Sequence, residues 1–291
     1  MHNPLSIRNL SPYYKLMPFM SKQPFSSTKA PKGHSTFDND LPAFSHASAI
    51  SKETLHKAFK LMCLAKYIAI TYDENRQVCE YVHSTSRGHE AIQIAVGLQL
   101  KNYDYAAPYY RDESMLLSMG YTPYQLMLQV LAKADDPFSG GRTYYAHPSN
   151  KSAAFPTMPH QSSATGMQAI PATGVAQGIR YKEKMGLLND RHQPIMLCSL
   201  GDNSVTEGEV AEAWQFAALK QLPIIYLVQD NDWGISVTGA EARSMNAYEY
   251  AAGFVGLHRV SIDGSNFVEA YEAVQAAIDY VRQERKPMVL H

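Results

Sequence analysis

Two acidic turns hold most of the chemistry this sequence offers. Gly201-Asp202-Asn203 ends the apolar run 194–200, and Gln229-Asp230-Asn231-Asp232-Trp233 ends a second apolar run, 223–228. The first turn offers the carboxylate of Asp202. The second offers the side-chain oxygen of Asn231 and the peptide carbonyl of Trp233. One carboxylate with neutral oxygens suits a hard cation, and magnesium bridging to a diphosphate is the chemistry such a set fits. The amides of Asn203 and Ser204, at the start of a helix, would hold phosphate oxygens. Gly, Asp and Asn are also ordinary turn formers, so neither turn argues much alone. Their pairing does: each follows a buried run, and Asp202 and Asn231 are 29 residues apart, the span of one helix and one strand.

To meet, the turns need a strand, a helix over 207–220 and a second strand. That unit sets both tips at the C-terminal edge of a parallel sheet, where open α/β folds bind ligands. Around it, Ser51-Lys-Glu-Thr54 caps a helix whose apolar positions Leu55, Phe59, Met62 and Ile68 recur at helical spacing. A second helix is predicted over 88–97, an extended piece over 105–110, and a helix opening at 111–113. Thr122 and Pro123 start a helix running to about Ala134. Residues 135–164 show no period, and a long loop in a compact domain is usually functional. Helices over 166–184 and 267–285, a strand over 256–262 and a strand from Pro287 complete the pattern. The fold class is α/β, a mostly parallel sheet with helices on both faces.

The chain of 291 residues is 45% hydrophobic and 18% charged, enough for a sizeable core. A net charge of −1 leaves no basic excess for nucleic acid or an anionic membrane. Cys63, Cys79 and Cys198 are scattered, which argues against a zinc site or disulfide framework and for a reducing compartment. Cys198 lies in an apolar strand as filler. No apolar stretch has the length of a membrane span. Residues 1–45, without an acid before Asp38, read as a poorly ordered tail, and 46–291 as the globular domain. An acid-poor start also fits an organellar leader, so the location is cytoplasmic with the mitochondrial matrix as alternative. A chain that stops as a strand begins is expected to be one part of a longer polypeptide.

The two turns resemble the thiamine-diphosphate motif, Gly-Asp-Gly followed a helix and a strand later by Asn-Asn. Their surroundings are similar to the alpha subunit of the decarboxylating component of 2-oxo acid dehydrogenase complexes, over about residues 50–291. The resemblance includes Gly88-His-Glu-Ala91, Tyr109-Tyr-Arg-Asp112, Ser162-Ser163, Gly166-Met-Gln168, Thr206-Glu-Gly-Glu209 and Leu222-Pro-Ile-Ile225. It implies a thiamin-diphosphate-binding fold. It also implies thiamine diphosphate and Mg2+ as cofactors, the metal held by Asp202, Asn231 and the backbone of Trp233. Tyr110 and Arg111 would bind the diphosphate, Arg as a planar, permanently charged fork. Ser163 and Thr165 would line the bend of the cofactor. Gln229 stands where the family often has a basic residue and joins Asn203 and Ser204 around the diphosphate. Among His83, His89, His147 and His160, the last is the histidine put forward for a catalytic role.

Departures from the family pattern have consequences. Asn203 replaces a glycine, and Asn tolerates the left-handed conformation. Asp230 replaces an Asn. Facing the metal it would add an anion beside a diphosphate; facing away it would be a turn residue. The activity implied is oxidative decarboxylation of a 2-oxo acid with acyl transfer to a lipoyl group. Ser162-Ser163 resembles the branched-chain (2-oxoisovalerate) members. The partners implied are a beta-type pyrimidine-binding domain or subunit, which supplies an activating glutamate, and a lipoylated acyltransferase component, within a homo- or hetero-oligomer. Alone, this chain would be an inactive half-site. Acetoin cleavage or ketol transfer is the alternative reaction, and a cofactor-silent assembly subunit the alternative of another class.

Overall fold

The computed structural model describes residues 50–79, 84–143, 145, 147–162, 164–188 and 192–291. The tail expected at 1–45, and with it His83 and Ser163, lies outside the described residues.

Helix α1 (Lys52–Glu74) starts as predicted, with the Ser51 side chain accepting from the Thr54 amide. Its packed stripe differs from the expected one. Ala58, Ala65, Ile68, Ala69 and Tyr72 are buried, while Leu55 and Phe59 are exposed. The alanines let α1 approach α2 (Glu90–Gln99) and α3 (Glu113–Met119), which the larger side chains would prevent. The short strand β1 (Tyr105–Ala107) lies between those two helices in sequence. Helix α4 (Pro123–Val130) has the Thr122–Gln125 capping box and stops short of Ala134, because the chain turns left-handed at Ala132 (φ 49°).

After the irregular stretch come α5 (Ala169–Lys184), β2 (Met196–Gly201), a 3-10 turn (Asn203–Thr206), α6 (Gly208–Lys220) and β3 (Ile224–Gln229). A small hairpin, β4 (Trp233–Gly234) and β5 (Val237–Thr238), leads to the short helices α7 (Gly239–Ala242) and α8 (Ala247–Ala251). Strand β6 (His258–Val260), helix α9 (Phe267–Glu284) and strand β7 (Met288–Leu290) follow.

The five-stranded sheet runs β1-β2-β3-β7-β6, every pair parallel. Strands buried on both faces read as unbroken apolar runs, and period-two alternation sends neighbours to opposite sides. Leu197, Ile225, Leu227 and Leu290 pack with α1, α2, α3, α4 and α9. Met196, Cys198, Ile224, Tyr226 and Val289 pack with α5, α6 and α8, around the fully buried Trp214. Helices therefore cover both faces, as expected. Cys198 is filler, its thiol pushed upward by complete burial. The register pairs Gly201 with Gln229, so Asp202 and Asp230 leave neighbouring strands side by side. Among the described residues no helix is long and apolar enough to cross a membrane.

Candidate functional site

The C-terminal edge of the sheet gathers the two acidic tips onto one guanidinium. Arg243, just after α7, places Nη1 2.7 Å from Asp202 Oδ2 and Nη2 2.8 Å from Asp230 Oδ1. Nη2 also lies 3.2 Å from Asp232 Oδ1. The other oxygen of Asp230 is 3.0 Å from His291 Nε2, and His291 Nδ1 is 3.0 Å from Ser261 Oγ. Burial and the neighbouring Asp230 charge push the Asp202 carboxyl upward, against Arg243. Burial works upward on Asp230 too, but hydrogen bonds from His291 and Arg243 outweigh it and hold that carboxyl well below its ordinary value. Asp230 is thus the better-bonded of the two carboxylates, and Asp202 the one that burial and its neighbour's charge disfavour.

A second cation stands nearby. Arg111 is buried, its guanidinium 5.3 and 5.4 Å from the ring centres of Tyr109 and Tyr110. Its Nη2 donates to Tyr110 Oη at 3.3 Å, and its Nη1 donates to His89 Nε2 at 3.2 Å. Asn231 Nδ2 donates to the same ring nitrogen at 3.3 Å. An imidazole nitrogen that accepts from two donors carries no proton, so His89 is the neutral Nδ1–H tautomer. Its surroundings agree: burial, then the Arg111 charge, lower its pKa to about 4.

Arg111 and Asp202 both border a cavity of about 260 Å³ whose wall also includes Tyr110, Thr165, Asn203 and Trp233. Tyr109 also lines it, its hydroxyl accepting from Ser204 Oγ at 3.2 Å. Among the described residues, Arg111 Nε and Asn203 Oδ1 are buried without a hydrogen-bond partner. Both atoms belong to residues that line the cavity, but each is itself closed off, so a ligand would reach them only if these side chains moved. Trp233 and Ile235, at the rim, are exposed.

The expected residues thus fall into three groups. Tyr110, Arg111, Thr165, Asn203, Asp202 and Trp233 meet around the cavity. Asn203 begins a right-handed 3-10 turn, so its tolerance of the left-handed conformation is not used. Asn231 is at the same sheet edge, but its Oδ1 accepts from the Trp233 amide at 3.0 Å and its amide faces His89. The side chain beside Asp202 is instead Asp230.

Gln229 and His160 are not among the residues that line the cavity. Gln229 is buried beneath the site: Nε2 donates to Asp112 Oδ1 at 2.7 Å and Ser199 Oγ at 2.8 Å, and Oε1 accepts from Gln93 at 2.8 Å. Strand alternation puts it on the face of Ile225 and Leu227, which parity alone could have shown. His160 is exposed; its neighbours Gln161 and Ser162, with His147, line a smaller crevice beside Tyr109 and Tyr110. Sequence reading missed Arg243 and His291 entirely and left His89 without a role.

The solved transketolase from Campylobacter jejuni superposes with a TM-score of 0.51 at 17% identity, covering 74% of this chain and 37% of that one, a likeness of fold. A profile of the Dehydrogenase E1 component family matches residues 60–291, and the chain belongs to that family. The 2-oxoisovalerate dehydrogenase subunit alpha of Bacillus subtilis is 31% identical over 206 residues, 70% of this chain and 59% of that protein. The pyruvate dehydrogenase E1 component subunit alpha of Rickettsia conorii is 28% identical over the same shares of the two chains. This chain therefore spans only 59% of the length of either relative.

Proposed function

We propose that this chain, over about 46–291, is the diphosphate- and metal-binding half of a thiamine-diphosphate-dependent E1 enzyme that oxidatively decarboxylates a branched-chain 2-oxo acid. One observation carries the reading. One cavity at the sheet edge is lined by both Arg111 and Asp202, and a cation already rests on Asp202 and Asp230. That guanidinium is a stand-in showing that the acidic tips accept positive charge. Among the described residues no three His, Cys, Asp or Glu side chains gather to hold a metal unaided. An all-oxygen set completed by an amide, a peptide carbonyl and ligand phosphates suits magnesium.

In this reading Asp202, Asn231 and the Trp233 carbonyl hold magnesium. Tyr110, Arg111 and the amides of Asn203 and Ser204 hold the diphosphate, and Thr165 lines the cofactor. When bound, thiamine diphosphate supplies an electron sink for loss of carbon dioxide. The protein's own part is placement. His89, kept neutral, accepts from both Arg111 and Asn231 and so ties the phosphate-binding side to the metal-binding side. Gln229 locks the 109–112 loop to β3 from below. The exposed rim at Trp233 and Ile235 is where a beta-type pyrimidine-binding subunit would close over the cavity and exclude water. A lipoylated acyltransferase is the acceptor partner, the assembly is oligomeric, and the location is the cytoplasm or the mitochondrial matrix.

The branched-chain choice follows the Ser162-Ser163 pair and the Bacillus subtilis relative. Turnover with a beta-type partner and a lipoyl acceptor tests the whole. Preference for 2-oxoisovalerate over pyruvate, and no turnover by this chain alone, are the expected results. Turnover by the isolated chain would contradict the half-site, and a strong pyruvate preference would contradict the substrate.

A further inference from the structure

We infer that Arg243 is a built-in counter-ion which a divalent metal must displace, so that this residue sets the metal affinity of the site; the inference rests on the metal-binding reading above. Two carboxylates leaving neighbouring strands repel one another when little water screens them. Asp202 is 1% exposed in its side chain and Asp230 18%, and Arg243 itself is 11% exposed. The fork geometry of a guanidinium satisfies both acids at once, with one Nη on each. A metal ligated by Asp202 and a guanidinium bonded to Asp202 Oδ2 compete for one carboxylate.

The local build agrees with a displaceable strap. Arg243 follows a four-residue helix, α7, which itself follows a hairpin of two-residue strands. Gly239 starts that helix, and a Cβ there would lie 2.0 Å from Asp232 Oδ1 and 2.7 Å from Arg243 Nη2, so the strap closes over a residue with no side chain. Behind it lies a separate cavity of about 290 Å³, lined by Asp202, Thr206, Arg243, Ser244, Met245 and Tyr250 among others. Asp202 borders both cavities. The guanidinium can therefore swing off Asp202 into space the fold already contains. The metal-free chain is held by Arg243 and the metal-loaded chain by the ion, two counter-ions for the same pair of acids.

The test is a titration of the 291-residue chain with Mn2+ alone, free ion read by electron paramagnetic resonance, for wild type, Arg243→Gln, Arg243→Lys and Asp202→Asn. Arg243→Gln should bind Mn2+ about tenfold more tightly than wild type, the scale of losing one competing buried ion pair. Arg243→Lys, which keeps the charge without the fork, should fall between them, and Asp202→Asn should not bind. In the absence of metal Arg243→Gln should also melt at a lower temperature than wild type, with the gap narrowing as Mn2+ is added. If Asp202→Asn abolishes binding while Arg243→Gln binds no tighter than wild type, the metal site stands and the role given to Arg243 is wrong. If none of the four binds Mn2+, the metal reading and this inference fail together. Should Arg243→Gln not fold, Arg243→Lys alone decides, since unchanged affinity there overturns the competition.

Discussion

Gln229 Nε2 lies 2.7 Å from Asp112 Oδ1, joining the end of a central strand to the loop that presents Tyr110 and Arg111. Both side chains are buried, and Asp112 also accepts from its own loop at the Tyr109 amide, 2.7 Å away. Burial pushes the Asp112 carboxyl upward, and the Tyr109 and Gln229 bonds oppose it. Gln229→Leu removes a donor from a fully buried acid, and a buried polar group left unanswered costs about 1–3 kcal/mol. Denaturant melts should show a loss of that size, and thiamine diphosphate binding should weaken as Arg111 loses its support.

Glu113 gives the fold a distinctive pH dependence. It is buried, bonded to Tyr145 Oη, and its pKa is raised to about 7, chiefly by burial. Between the ordinary 4.5 and about 7 the unfolded chain has released this proton while the folded chain keeps it. Stability therefore falls as pH rises through that window and levels off above it, by on the order of 3 kcal/mol at most. Glu113→Gln should abolish that fall in melts taken across the window.

His89 acts in the opposite sense. Its pKa is lowered from 6.5 to about 4, so the fold keeps it neutral where the unfolded chain is protonated. Its contribution is complete above 6.5 and is lost as pH drops toward 4. His89→Leu should remove that acid-side loss. Because Arg111 and Asn231 then lose their shared acceptor, cofactor affinity should drop about tenfold, the effect of one charge-assisted hydrogen bond. Calorimetry at neutral pH reads the second effect apart from the first.

Gly234 is needed for the room it leaves. A Cβ there would fall 1.6 Å from Asn203 Nδ2. Gly234→Ala should push Asn203 within the cavity wall and weaken cofactor binding several-fold, the scale of one displaced hydrogen bond, with little change in melting temperature. An unchanged cofactor affinity would place the Asn203 side chain, though not its backbone amide, outside the binding set.

What was legible in the sequence followed from short-range rules. Two apolar runs separated by a helix made neighbouring parallel strands, but the residue expected beside Asp202 was Asn231, and the Gly201–Gln229 register sets Asp230 there instead. Caps at Ser51 and Thr122 were readable because a capping side chain bonds within a few residues of itself. Gln229 lies beneath the cavity on the face of Leu227, a position that a parity count along β3 gives. The α1 stripe was misread because burial there went to alanines, whose value depends on how close the neighbouring helices come. Arg243 was out of reach for a different reason. It sits beyond a hairpin of two-residue strands, and nothing local reports that the chain folds back over Asp202.

The central claim is a shared grip on one cofactor by Arg111 and the acidic tips. Isothermal calorimetry of the 291-residue chain with thiamine diphosphate tests it most directly, with and without Mg2+, in wild type and Asp202→Asn. Saturable binding that requires Mg2+ and is lost in Asp202→Asn is the predicted result. No binding by wild type, or equal binding by Asp202→Asn, would contradict it.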